Sequence, residues 1–419
     1  MKKIAFLFLV FQLSVTAQIK KVDSLLQLGN YLTALKVLDT KTSSFEVENK
    51  KGLIYQQIGN YRLAILNYNK ALVLKNDFRT KENLGKCYQK TNQISKAFTL
   101  FEDVLKERPN NTLLKYHLAK LYKSKLQFNK AKKLFKSIIL TDATNSNYYY
   151  YLGSTYLHLK QKDSAKIQFF KAVTLDSTHF KSLYNLAKQT RKKDKYKKFR
   201  KRLKGKFKAV NNDTSYYYLK KGLKYYPKST ALNQLAAKYY FYDNDYLKAI
   251  NHFLALPKLD SERKLNLAIC YYQLKDYEKA MDYLYDLIDT KKANGKTFFY
   301  LSLIYKDKKN YELAQKYMEF AIDVEQPQLT EYYFQLGMIF QEDKQLEKAI
   351  TNFKLALEDD LYNNKAQYQL ALTCDSFYKD KTIAMKHYKN YLRRFSYRDK
   401  QTTAFVKQRI VELEQLMKN

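Results

Sequence analysis

Ten alanines set the frame in which this chain of 419 residues can fold. Ala34, Ala64, Ala97, Ala131 and Ala165 are 30, 33, 34 and 34 residues apart, and Ala249, Ala280, Ala314, Ala349 and Ala384 are 31, 34, 35 and 35 apart. Residues 46–74 show what surrounds such an alanine. Gly52 is followed three residues on by Tyr55, then come Gly59-Asn60-Tyr61, Ala64, Tyr68 and Ala71. Tyr61, Ala64, Tyr68 and Ala71 are spaced three and four apart and so share one helical face. Gly52 gives a preceding helix a point of close approach. The Gly-Asn pair breaks the chain between the two, because glycine takes positive φ without penalty and asparagine tolerates it. The unit is a helix–turn–helix hairpin with a helix A and a helix B.

The same small–x–x–aromatic pair recurs on helix A as Gly85/Tyr88, Ala119/Tyr122, Gly153/Tyr156, Ala237/Tyr240, Ala268/Tyr271, Ser302/Tyr305 and Gly337/Phe340. The first unit departs from it, with Val22 and Leu25, and the last slips by one residue. Six of the nine glycines (Gly29, Gly52, Gly59, Gly85, Gly153, Gly337) fall at the close-packing or turn position. Pro109, Pro227, Pro257 and Pro327 all fall where a helix B should end, as expected of a residue that costs a helix interior about 3 kcal/mol. This pattern resembles the tetratricopeptide repeat (TPR) family, whose unit of roughly 34 residues has these small, aromatic and alanine positions. The resemblance implies an all-α, α–α superhelical solenoid of about ten to eleven hairpins, each contacting only its neighbours.

The jump of 84 residues between the two alanine series exceeds two repeats by about one helix. It implies a phase break near residues 191–215. Leu183, Leu186 and Ala187 mark one more helix A, and residues 216–226 read as a helix B closed by Pro227. The expected organisation is a segment 1–17, an N-terminal arm 18–190, a basic helical segment 191–229, a C-terminal arm 230–396 and a solvating end helix 397–419. That last helix places Val406, Ile410, Leu413 and Met417 on one face. Residues 1–17 read as a signal peptide: Lys2 and Lys3 precede an apolar run, and Val15-Thr16-Ala17 suits cleavage before Gln18. The expected address is therefore the periplasm or cell envelope. Three cysteines in an exported chain invite a disulfide. Cys87, Cys270 and Cys374 lie in well-separated units, however, so three unpaired, packed thiols are expected.

Formal charge is +37, from 77 Lys and Arg against 40 Asp and Glu. Between residues 191 and 208, twelve of eighteen residues are cationic and Asp194 is the single acid. Arg191, Lys192, Lys193, Lys197, Lys198, Arg200, Lys201, Arg202 and Lys204 make a candidate polyanion patch, with Tyr196, Phe199 and Phe207 interleaved. The bland alternative is a degenerate helix B with a solvated basic face.

No catalytic motif stands out. The five histidines are scattered without metal spacing and no glycine-rich phosphate loop is present. The chain reads as a non-enzyme with no metal, no cofactor and no small-molecule substrate. What the resemblance implies instead is a groove lined by helices A that takes a peptide or partner. Carried over unit by unit, its first-arm positions are Gln56, Gln57, Lys86, Gln89, Lys90, Tyr116, Lys120, Lys123, Tyr150, Ser154 and His158. The paired cation and amide with which chaperone-binding members hold a carboxylate are absent, since Asn49 and Leu53 stand there. Lys86, Lys90, Lys120 and Lys123 instead form a cationic strip, which either meets an acidic peptide or partner or merely solvates the wall. The matching second-arm positions, Phe241, Tyr242, Leu265, Ile269, Tyr272, Phe299, Leu303, Phe334 and Met338, are more apolar and aromatic and read as packing between helices A, or else as a hydrophobic groove. Three functions remain in view: an envelope scaffold for protein–protein interaction, a binder of anionic lipid or envelope polymer (export counts against nucleic acid), and the sensory half of a regulator.

Overall fold

A computed structural model of the chain describes residues 21–190, 213–324 and 329–417. Residues 1–17, the basic run 191–208 and Pro327 lie outside the described residues. The chain forms two compact units, residues 1–189 and 190–419. Among the described residues every regular element is an α-helix.

In the first unit, residues 21–27 are helical and are followed by α1 (Tyr31–Asp39), α2 (Phe45–Gln57), α3 (Tyr61–Leu74), α4 (Phe78–Lys90), α5 (Ile94–Glu107), α6 (Thr112–Ser124), α7 (Phe128–Thr141), α8 (Ser146–His158), α9 (Lys162–Leu175) and α10 (Phe180–Thr190). The second unit contains α11 (Asp213–Tyr225), α12 (Thr230–Tyr242), α13 (Tyr246–Leu254), α14 (Ser261–Gln273), α15 (Tyr277–Asp289), α16 (Gly295–Asp307), α17 (Tyr311–Val324), α18 (Thr330–Glu342), α19 (Leu346–Asp359), α20 (Asn364–Phe377), α21 (Lys381–Phe395) and α22 (Lys400–Leu416). From α1 to α9 and from α11 to α22 each helix packs on the next, helix A on its own helix B and helix B on the following helix A, so the hairpins stack in series within each unit. The described residues hold ten such hairpins.

The alanine frame is the core. All ten helix-B alanines are fully buried. The small residue on helix A faces the large residue sixteen positions later on its own helix B. A Cβ built on Gly52 would come within 2.6 Å of Tyr68, on Gly85 within 2.3 Å of Phe101, on Gly153 within 2.8 Å of Phe169, and on Gly337 within 2.6 Å of Phe353. At the equivalent places Ala119 precedes Phe135, Ala268 precedes Leu284 and Ser302 precedes Met318, all buried. Small against large at a fixed spacing closes each hairpin.

The turns correct one expectation. Gly59 does adopt φ +83°, but Asn60 has φ −82° and serves as the helix cap, its side chain accepting from Leu63 N at 3.2 Å. Positive φ belongs to the residue before the cap. Glycine is not required there: Asn92, Leu126, Lys160, Asn244, Lys275, Lys309 and Lys344 hold φ between 58° and 64°. Helix A of the last hairpin instead ends on an extended Tyr378 (ψ 135°), with Asp380 capping α21. The one-residue slip arises in that turn.

The end helix α22 buries Val406, Ile410 and Leu413 as expected, whereas Met417 is exposed at its fraying end. Sequence reading missed its anchor. Arg409 Nε and Nη2 donate to the two oxygens of buried Asp375 at 2.7 and 3.3 Å, and Tyr388 Oη donates to the same carboxylate at 3.2 Å. Cys87, Cys270 and Cys374 are free and buried, and burial pushes their thiols up to about 11, 12 and 11. The second-arm stripe is in the main packing: Leu265, Ile269, Leu303 and Phe334 are buried, and Phe299 lies 4.9 Å from Tyr332 on the next helix A, whereas Tyr242 is exposed.

Candidate functional site

The helix-A face of the first unit is built from α4, α6, α8 and α10. Each starts where the preceding helix B stops. Asp77, Asn111 and Asn145 cap the first three, accepting from Thr80 N at 2.8 Å, Leu114 N at 3.0 Å and Asn147 N at 3.0 Å. Burial of Leu84 and Gly85, of Leu118 and Ala119, and of Leu152 and Gly153 fixes the rotation of the helices. Lys86, Lys120 and Ser154 each follow that small residue by one position, which turns them off the hairpin core.

On α4, Lys86 pairs with Glu82 at 2.7 Å, and Glu82 also accepts from Asn111 at 3.3 Å. Gln89 reaches across to His117 Nδ1, 3.3 Å away. Burial, reinforced by the nearby Lys86 and Lys120 charges and opposed by Glu82, lowers the His117 imidazole to about 4, so it is neutral near pH 7. On α6 and α8 a tyrosine cluster follows. Tyr116 lies 5.3 Å from Tyr148 and 5.5 Å from Tyr151 between ring centroids, and Tyr150 is 5.1 Å from Tyr151. Lys120 Nζ stands 5.2 Å from the Tyr116 ring and 5.3 Å from the Tyr151 ring, while Lys123 Nζ is 6.0 Å from the latter. Lys181 of α10 covers Tyr150 at 5.6 Å. Such cation–ring contacts contribute about 0.5–1 kcal/mol each where exposed. Burial holds the Tyr116 and Tyr150 hydroxyls above the usual phenol range. Burial also draws Lys123 below the usual lysine range, with Lys181 adding repulsion and Tyr151 opposing.

Of the residues proposed from sequence, the structure brings Tyr116, Lys120, Lys123 and Tyr150 together. Ser154 is half-buried on the same helix, one turn past Tyr150. Gln56 faces its own hairpin, accepting from Tyr68 Oη at 2.7 Å. Gln57 and Lys90 are exposed on the ends of α2 and α4, and His158 stacks on Phe128 at 4.6 Å. Sequence reasoning passed over Glu82, His117, Tyr148, Tyr151 and Lys181; the run of four tyrosines at 148–151 was the available signal. Charge is uneven as well. Residues 21–190 carry 29 Lys and Arg against 12 Asp and Glu, whereas residues 213–417 carry 32 against 27.

Family models described as tetratricopeptide repeat match residues 49–78, 88–154, 146–179, 264–290, 296–327 and 330–358. The chain belongs to the tetratricopeptide-repeat family. TPR stacks typically serve as non-enzymatic scaffolds for protein–protein interaction. A segment of 82 residues is 37% identical to the uncharacterized protein ycf37 of Guillardia theta, covering 19% of this chain and 46% of that protein, so the TPR chain spans under half of that relative. Among solved structures, the C-terminal part of a TPR repeat-containing protein from Cytophaga hutchinsonii is 19% identical, covering 59% of this chain and 99% of that one, with a TM-score of 0.45. Yeast Tom70 is 13% identical over 97% of both chains, with a TM-score of 0.40. YrrB, titled a TPR protein with an unusual peptide-binding site, is 19% identical over 40% of this chain and 89% of its own, with a TM-score of 0.37. Among the described residues, no group of three His, Cys, Asp or Glu could hold a metal ion, and no helix is long and apolar enough to cross a membrane.

Proposed function

We propose that this TPR chain is an exported scaffold of the bacterial cell envelope that binds an acidic peptide or acidic partner face through the helix-A wall of its first unit. The observation that carries the reading is the wall itself, where lysines stand over tyrosine rings and Glu82 is already engaged by Lys86 and Asn111. A ligand with carboxylates complements that charge, and the rings offer flat apolar area to its backbone and side chains. Charge reversal at Lys86, Lys90 and Lys120 to Glu, followed by crosslinking in the native envelope, is expected to abolish capture of the acidic partner. Unchanged capture of every partner refutes the reading. Export rests on the leader-like residues 1–17, and N-terminal sequencing of the processed chain is expected to begin at Gln18.

A second reading is favoured by the concentration of twelve cations within residues 191–208. In it, Arg191, Lys192, Lys193, Lys197, Lys198, Arg200, Lys201, Arg202 and Lys204 hold an anionic lipid surface or envelope polymer. Binding to phosphatidylglycerol vesicles would then collapse as salt rises, whereas groove recognition would keep a salt-insensitive part.

A further inference from the structure

Four lysines on the helices A α2 and α4 have a counter-ion. Lys50 pairs with Asp23, Lys51 with Asp39 at 2.6 Å, Lys81 with Asp103 at 2.8 Å and Lys86 with Glu82 at 2.7 Å. On α6 and α10 no lysine forms an ion pair among the described residues. Three of these lysines, Lys120, Lys123 and Lys181, converge on two adjacent tyrosines. Lys123 is half-buried there. Holding a partly desolvated ammonium beside another cation is unfavourable, and an arriving anion relieves both burdens together.

The arrangement also indicates how many anionic groups fit. Lys120 and Lys123 stand over Tyr151, whereas Lys181 stands over Tyr150, and the two ring centroids are 5.1 Å apart. A single phosphate would need its cations gathered at about 2.7–2.9 Å around one group. Two loci marked by separate rings better match two carboxylates from alternate residues of an extended strand, which project to the same side about 6.6 Å apart. We infer that this nest reads an acidic–x–acidic segment of an extended peptide, one carboxylate lodging at Lys120 and Lys123 and the next at Lys181, with the intervening side chain turned away. The inference rests on the acidic-ligand reading above and adds the place and the spacing.

Fluorescence anisotropy of the full chain with short labelled Gly/Ser peptides tests it. The peptides carry a single Glu, Glu-Gly-Glu, Glu-Gly-Ser-Gly-Glu, or one phosphoserine. Glu-Gly-Glu is expected to bind tightest. Lys123→Gln and Lys181→Gln should each weaken it about tenfold, the scale of one lost charge-assisted contact. Lys166→Gln, which removes a surface pair with Asp163, should leave it unchanged. Circular dichroism melts of the variants that match the parent exclude misfolding. Equal affinity for single Glu and Glu-Gly-Glu overturns the inference, as does tighter binding of phosphoserine or of phosphatidylglycerol vesicles. If Lys86→Glu with Lys90→Glu abolishes binding while Lys123→Gln and Lys181→Gln do not, the acidic-ligand reading survives and the nest fails. If no acidic peptide binds, both fail.

Discussion

Replacing Gly85 with alanine should be one of the most damaging single-methyl changes in the first unit. A Cβ there would lie 2.3 Å from Phe101 Cε1, 2.8 Å from Cδ1 and 3.0 Å from Cζ. Carbon atoms in contact prefer about 3.5–4.0 Å, so the ring must retreat by more than an ångström. Phe101 is fully buried and has no open side to retreat into. Overpacking of this kind costs about 1–3 kcal/mol, while alanine regains about 0.5–1 kcal/mol of helix propensity. The net expectation is a loss of about 1–2 kcal/mol, localised to the α4–α5 hairpin. Ala268 with Leu284 sixteen residues later shows the smaller pair that this frame accepts, so Phe101→Leu should rescue Gly85→Ala. Because long repeat arrays need not unfold in one step, urea titration should be joined by hydrogen exchange of α4 and α5. A coupling energy of at least about 1 kcal/mol in the double-mutant cycle is expected. Unchanged exchange in Gly85→Ala, or strict additivity of the two changes, refutes the packing argument.

Other consequences follow from caps, turns and the end helix. Leu126 holds φ +58° and is 72% exposed, so Leu126→Gly should relieve left-handed strain and raise stability by about 0.5–1 kcal/mol; a lower urea midpoint would contradict this. Gln93, Gln127 and Gln161 stand at helix-B caps without a side-chain cap bond, so Gln127→Asp should add about 1 kcal/mol, read as slower exchange in α7. Arg409→Gln should free α22, costing about 2–3 kcal/mol, less than the ~3–5 kcal/mol of a fully buried pair because Arg409 is partly exposed. Burial pushes the Asp375 carboxyl up, but the hydrogen bond and charge of Arg409, with Tyr388 and Lys381, outweigh it and leave the group below its ordinary value. That stabilisation is complete above the unfolded carboxyl pKa of ~3.9 and is lost as pH falls through the lower folded value. Asp375→Asn should therefore flatten the acid limb of the stability profile below about pH 4. An identical acid limb in the variant would contradict the assignment.

How much could be read from sequence depends on which distances decide a contact. The hairpins were legible because their core is set within one repeat: an alanine that must be buried, a small residue twelve before it, and a cap. Even the slip before Ala384 was visible, although its cause lies in the extended Tyr378. The wall was legible only in part, since register places Lys86, Lys120 and Lys123 without saying what stands opposite. Lys181 meets Tyr150 from the next helix A, 31 positions away in sequence, and that approach depends on the angle between hairpins, which no spacing within a helix encodes. Gln56 makes the converse point: it has groove register, yet one rotamer turns it inward to Tyr68 Oη. The unmatched cations at Lys120, Lys123 and Lys181 arise from pairings between repeats, so the feature that best distinguishes this wall is the one least visible in the repeat.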